Sequence, residues 1–147
     1  MVNFKELTIK DLDAIKATIK EVFSLPPWND DWSDEKQLEE YVLDFMEARN
    51  PLAYGLYEDE DLIGVSVGHI LHWWGGTEYY IDEICIKEKY QNKGYGTKFF
   101  DFIQEDLKKR GIALIYLNTD VGIPAFYFYK KLGFEQIEEN TAFFKRF

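Results

Sequence analysis

The chain predicts an α+β fold: a central mixed, mostly antiparallel sheet of six or seven strands, flanked by about four helices. Three observations carry that expectation. From Thr8 to Asn50 the apolar residues step by three and four, which is helical spacing. From Leu52 to Ile86 the pattern becomes β-branched and aromatic runs bounded by turn residues. From Ile81 to Leu117 a strand-like run, a helix and a continuous apolar run follow in turn. That order implies a right-handed crossover and one parallel pair.

Thr8 opens the first helix as its N-cap, ahead of Leu12, Ile15, Ile19 and Val22, and Pro26-Pro27 breaks it. An acidic, aromatic loop follows, Trp28-Asn29-Asp30-Asp31-Trp32. Ser33 caps a second helix with an apolar face of Leu38, Tyr41, Val42, Phe45 and Met46, ended by Asn50-Pro51. Strands over Leu52–Tyr57 and Leu62–Leu71 flank Glu58-Asp59-Glu60-Asp61, which reads as a hairpin turn. Trp73-Trp74-Gly75-Gly76-Thr77 leads into a strand over Tyr79–Ile86. Phe99, Phe102, Ile103 and Leu107 mark a helix stopped at Gly111, before the apolar run Ile112–Leu117. Pro124 starts a last helix, through Ala125, Phe128, Tyr129 and Leu132, which Gly133 stops. A short hairpin, about Phe134–Ile137 and Ala142–Phe147, completes the sheet.

Composition bounds the function. At 147 residues, with 46% hydrophobic and 18% aromatic residues, the chain reads as one globular domain over 1–147. No run approaches the roughly 20 apolar residues of a membrane span, and the first residues lack a signal-peptide apolar region. Cys85 is the only cysteine, so no internal disulfide forms, and a cytoplasmic protein is expected. Net charge is −10 and uneven: residues 1–61 carry 16 acids against 6 bases, whereas residues 87–110 carry 7 bases against 4 acids. The absence of a basic stripe disfavours nucleic acid. His69 and His72 lie on one strand with opposite parity, so they form no metal pair, and no metal is expected.

Gln91-Asn92-Lys93-Gly94-Tyr95-Gly96-Thr97 joins a strand to a helix N-terminus, an arrangement whose free N–H groups and dipole bind phosphate. The spacing excludes a P-loop, and Phe99 stands where a dinucleotide fingerprint needs its third glycine. A Q/R-x-x-G-x-G turn, of the kind that cradles the pyrophosphate of coenzyme A, fits every position.

That turn, with the strand Ile84-Cys85-Ile86 before it, and the later run Ala125-Phe126-Tyr127-Phe128-Tyr129-Lys130-Lys131-Leu132-Gly133-Phe134 together resemble the GNAT superfamily of acetyl-CoA-dependent N-acetyltransferases. The region of Asp82 and Asn118-Thr119-Asp120 is most similar to aminoglycoside 6′-N-acetyltransferase-like members. The resemblance implies a transferase that moves acetyl from acetyl-CoA directly to a primary amine. It assigns Ile84, Cys85 and Ile86 to the pantetheine arm by main-chain atoms, and Gln91, Asn92, Lys93, Gly94, Tyr95, Gly96 and Thr97 to the pyrophosphate. Asn118, Phe128 and Lys131 complete the cofactor set. Cys85 itself is read as a buried small hydrophobe, not a nucleophile.

Tyr129 falls at the family's tyrosine position and is expected to act as general acid, because a phenol stays protonated at neutral pH. For the base, Tyr80 occupies the position where some members have glutamate. Asp82 lies two residues on, on the same face by alternation, with Glu83 its neighbour on the opposite face. Asp82, Glu83 and a water chain all remain open. The charge split suggests a small cationic acceptor. The resemblance, whose acceptor cleft is lined by the loop between the first two helices and the ends of the central strands, implies that Trp28, Asp30, Asp31, Trp32, Trp73 and Trp74 surround it with Asp82. The expected partners are acetyl-CoA and that amine, with a homodimer allowed. Peptide or protein N-terminal acetylation, and a non-catalytic acyl-CoA-binding module, are the alternatives.

Overall fold

The computed structural model describes residues 1–147. Its strands are β1 (Val2–Leu7), β2 (Pro51–Glu58), β3 (Asp61–Trp73), β4 (Gly76–Ile86) and β5 (Ile115–Leu117). Its helices are α1 (Leu12–Phe23), α2 (Glu35–Met46), α3 (Tyr95–Lys109) and α4 (Pro124–Lys131). No helix is long and apolar enough to cross a membrane. The strands form one five-stranded sheet in the order β1-β2-β3-β4-β5. Every pairing is antiparallel except β4 with β5, the one expected parallel pair, joined through α3.

The two faces of the sheet hold separate cores. On one face α1 and α2 bury Ile15, Ile19, Val22, Leu38 and Val42 against Val65, Val67 and Cys85. On the other, α3 buries Phe99, Ile103 and Leu107 against Leu52, Tyr54, Tyr79 and Ile81. A polar chain anchors the far end of α3: the Tyr54 hydroxyl donates to Asp106 at 2.7 Å, and Arg110 donates to both Asp106 and Glu6. With that end held, the N-terminus of α3 is fixed beside β4.

Sheet and sequence expectation differ in three places. β1 is present though the sequence pattern predicts no strand there; it pairs with β2 along its whole length, and Phe4 stacks on Phe99 and Phe102 of α3. The expected hairpin over 134–137 and 142–147 is not formed, so the sheet stops at five strands, and residues 135–147 are exposed throughout. The polar stretch Glu135-Gln136 and Glu138-Glu139-Asn140 gives that segment little apolar face to hold on the sheet, and β5 offers an edge of only three residues. The caps also shift slightly. Thr8 forms a capping box with Asp11 over a 3-10 turn ahead of α1, and Asp34 rather than Ser33 caps α2.

Candidate active site

Two irregularities in β4 build the site. The first is a β-bulge. Val67 of β3 faces Glu83 while Gly68 faces Ile81, so Asp82 has no partner and the alternation slips by one. Ile81 before the bulge and Ile84 and Ile86 after it pack with the α3 core, whereas Cys85 packs with the α1–α2 core. Asp82 and Glu83 therefore both lie on the α1–α2 face. Strict alternation had placed Glu83 on the opposite face; the bulge corrects that. Gly68 admits the bulge because a Cβ there would lie 2.2 Å from the Tyr80 carbonyl oxygen.

The second irregularity is a splay. β5 pairs with β4 at three positions only, Ile115 opposite Tyr79, Tyr116 opposite Tyr80 and Leu117 opposite Ile81. Beyond them β4 runs on to Ile86 without it. The outer edge of Asp82–Ile86 thus carries backbone groups with no strand beside them. A cleft of ≈ 660 Å³ occupies the gap. Phe23, Trp28 and Asp30 line it from the α1 side, Phe99, Phe100, Phe128 and Tyr129 from the α3–α4 side, so it passes between both layers.

One end of the cleft is the start of α3. Gly94 takes a left-handed backbone, φ 84°, and no side chain caps the helix, so the first-turn N–H groups have no intrahelical acceptor. A Cβ on Gly94 would meet nothing within 4 Å, whereas one on Gly96 would lie 2.8 Å from the Phe128 ring. Gly94 is thus required by the turn, and Gly96 by the close approach of α4. The Gln91 amide donates to the Ile86 carbonyl at 2.7 Å and secures the turn to the strand.

At the middle of the cleft lie the titratable groups. The Tyr41 hydroxyl of α2 donates to Glu83. Burial pushes the Glu83 carboxyl above the usual range, with Asp30 and Asp82 adding to the rise and the Tyr41 hydrogen bond opposing it. Asp82 pairs with His69 Nδ1 at 2.9 Å, and His69 stacks on Tyr80. Burial also raises the Tyr129 phenol, with the neighbouring Cys85 and Glu83 contributing, and raises the Cys85 thiol. Tyr129 is therefore a protonated phenol lining the same cleft as Glu83, and Cys85 is a buried thiol.

Of the residues singled out in the sequence, Asp82, Glu83 and Tyr129 line this one cleft, as do Ile84, Cys85, Ile86, Gln91, Asn92, Gly94, Gly96, Thr97, Asn118, Phe128 and Lys131. Trp28 and Asp30 line it as well. The others do not. Lys93 lies outside it, and Tyr95 turns away to donate to Glu58 at 2.8 Å. Asp31 accepts from the Ser33 N–H, and Trp32 stacks on Tyr41 behind the cleft wall. Trp73 and Trp74 sit at the β3–β4 turn, Trp74 88% exposed, because the two strands run past the cleft before they turn. Asn118 also donates its amide to the Tyr80 hydroxyl at 2.7 Å. Sequence reasoning missed Tyr41 and His69 as partners of the two carboxylates. The only signal for Tyr41 was a hydroxyl in an otherwise apolar helical stripe, which must find an acceptor when it is covered.

The model of the acetyltransferase (GNAT) family matches residues 13–134. No curated protein matches the chain in sequence. Solved structures share its fold. A possible acetyltransferase from Clostridium difficile 630 superposes with TM-score 0.82 at 16% identity, covering 100% of this chain and 99% of that one. The aminoglycoside acetyltransferase AAC(6′)-Iy, in complex with the bisubstrate analogue CoA-S-monomethyl-acetylneamine, gives 0.75 at 15% identity over 99% of each chain. The ribosomal-protein-alanine N-acetyltransferase of Brucella melitensis biovar Abortus 2308 gives 0.74 at 17% identity, covering 100% of this chain and 99% of that one.

Proposed function

The chain belongs to the GNAT family of acetyltransferases, and from that premise we propose that it moves acetyl from acetyl-CoA directly to a primary amine on a small cationic acceptor. The observation that carries this reading is the bulge that sets Asp82 and Glu83 side by side on one wall of a cleft whose other wall holds Tyr129.

The cleft suits the donor. The unpaired β4 edge at Ile84–Ile86 offers main-chain groups for an extended chain of amides, and the uncapped turn Gly94–Thr97 offers N–H groups for a pyrophosphate. Asn118, Phe128 and Lys131 line the wall between them. Acetyl-CoA, when bound, supplies an acetyl group activated as a thioester.

The remaining chemistry falls to this chain's own side chains. An ammonium with a pKa near 10 must lose a proton before it can attack. Glu83 takes that proton: burial raises its pKa and so its basicity, it lines the same cleft as Tyr129, and Tyr41 holds its orientation. Asp82, ordered by His69, and Asp30 hold the acceptor's positive charge, with Trp28 beside them. As the carbon–sulfur bond breaks, Tyr129 gives its hydroxyl proton to the departing sulfur, and the second proton that the nitrogen sheds on becoming an amide restores the phenol. No group on the protein becomes acetylated.

The test is CoA release measured over polyamines, aminoglycosides, neutral and anionic amino acids, and peptides. We expect turnover to be highest with the polycationic amines. Equal turnover of neutral or anionic amines would overturn the acceptor class. Acetyl-CoA binding without release for any amine would make the chain a binding module.

A further inference from the structure

β4 and β5 part at one point, and a single side chain sits in the fork. Their pairing ends with Ile81 opposite Leu117, so Asp82 and Asn118 are the first residues of the two diverging arms. Tyr80 lies one pair back, opposite Tyr116 of β5 and His69 of β3. Its neighbours Tyr79 and Ile81 belong to the α3 core, so alternation directs Tyr80 to the other face, where Asp82 and Glu83 also lie. There its ring stacks on His69, with centroids 5.1 Å apart, and on Tyr116 at 5.0 Å.

This row of rings reaches the first residue of each arm. On the β4 arm, His69 Nδ1 lies 2.9 Å from Asp82 Oδ2. On the β5 arm, the Tyr80 hydroxyl accepts from the Asn118 amide at 2.7 Å, its only hydrogen bond. Burial holds the Tyr80 phenol above its ordinary range, with Tyr116 and Asp82 adding to the rise and Asn118 opposing it, so the hydroxyl keeps its own proton. Cross-strand stacking by itself stabilises a sheet, and a phenylalanine would supply it equally well. The hydroxyl adds what a phenyl ring cannot. It ties β4 to a side chain that lines the cleft, one residue beyond the last strand pair.

We propose that Tyr80 is a positioning residue that braces the fork, joining the Asn118 wall, where the donor lies, to Asp82, where the acceptor's charge is held. This role rests on the acetyltransferase reading above, and it gives Tyr80 no proton to transfer. Asp82 and Asn118 diverge from a common point, so the angle between the arms sets how far the acceptor nitrogen stands from the thioester carbon. A brace at that point limits the angle. Its loss leaves every binding group in place but lets the arms drift, and a misplacement of about 1 Å can cost 10²-fold in rate. Removing one hydrogen bond from an otherwise intact row of rings should cost less, about tenfold.

Tyr80→Phe keeps the row of rings and removes the hydroxyl. With an amine that the unaltered chain acetylates, kcat should fall about tenfold while the acetyl-CoA and acceptor KM values stay within about twofold. Asn118→Ala should also lower kcat, and Tyr80→Phe/Asn118→Ala should lose no more than Asn118→Ala alone, because the hydroxyl acts through that amide. An unchanged kcat in Tyr80→Phe, a loss confined to KM, or losses that multiply in the double variant would overturn the brace. A second readout needs no turnover. The chain has two histidines, so His72→Gln leaves His69 as the single histidine ring signal in an NMR spectrum. Saturating coenzyme A should shift that signal in His72→Gln and leave it in place in Tyr80→Phe/His72→Gln. A shift of equal size in both chains would mean that His69 senses the ligand through Asp82 alone; that result, or no shift in either chain, overturns the brace. If the unaltered chain turns over no amine, the acetyltransferase reading fails, and the histidine signal still decides whether Tyr80 joins the two arms.

Discussion

At the scale of single residues, burial raises two acids of the site in the same direction, a phenol and a carboxyl, with different consequences. Burial keeps the Tyr129 phenol protonated, as a donor must be. Tyr129→Phe keeps the ring packed against Phe100 and Phe134 and removes only the hydroxyl. We expect kcat to fall on the order of 10²-fold with little change in acetyl-CoA affinity; unchanged kcat would reduce Tyr129 to a packing residue. Burial raises the Glu83 carboxyl, so the acidic limb of kcat/KM should lie above the ordinary glutamate range and vanish in Glu83→Gln. Asp82→Asn should raise acceptor KM and leave the limb in place. The opposite pattern would make Asp82 the base. Glu83 also has a stability signature. A carboxyl whose pKa is higher folded than unfolded binds more protons in the native state between those two values, so stability declines as pH rises through that window. Glu83→Gln should remove this decline, which a pH series of urea midpoints would read.

At the scale of elements, the bulge and splay of β4 shape the cleft. Without the bulge, alternation would direct Asp82 and Glu83 to opposite faces and Tyr41 could not reach Glu83. Gly68 makes the bulge sterically possible. Gly68→Ala puts a methyl against the Tyr80 carbonyl, and the backbone must shift to relieve it. We expect a loss of about 1–3 kcal/mol in unfolding free energy, as for overpacking elsewhere, together with a fall in kcat. A normal denaturation midpoint with normal kcat would mean that β4 can hold the two carboxylates without a glycine opposite. The start of α3 shows a similar division of labour: Gly94 supplies the left-handed turn, and Gly96 lets Phe128 of α4 close against the helix.

At the scale of the whole molecule, the charge split gains a direction. Of the acids in the 28–32 loop, Asp30 reaches the cleft, whereas Asp31 is held by the Ser33 backbone outside it. Acceptor KM should therefore rise with added salt, since screening weakens exposed charge pairs. It should rise again in Asp30→Asn and stay near the unaltered value in Asp31→Asn. A KM insensitive both to salt and to Asp30→Asn, measured with a polyamine, would remove electrostatic capture of the acceptor from the mechanism.

Local signals determined much of this protein. Helical spacing, the proline and glycine stops, and the strand–helix–strand order around Gln91–Thr97 were enough to place four helices, the parallel pair and the glycine turn between them, because each depends on residues close together in the chain. The motif residues from Ala125 to Phe134 were legible for the same reason. The sequence could not show where strands go out of register, since a bulge depends on which backbone lies opposite: Asp82 is unpaired only because Val67 and Gly68 sit across from it. Nor could it pair Tyr41 with Glu83, 42 residues apart, or His69 with Asp82, or separate Asp30 from Asp31 and Trp28 from Trp32. The unformed hairpin after Gly133 has the same origin: strand propensity in Ala142–Phe147 is local, but an edge to pair with is supplied only by the folded sheet.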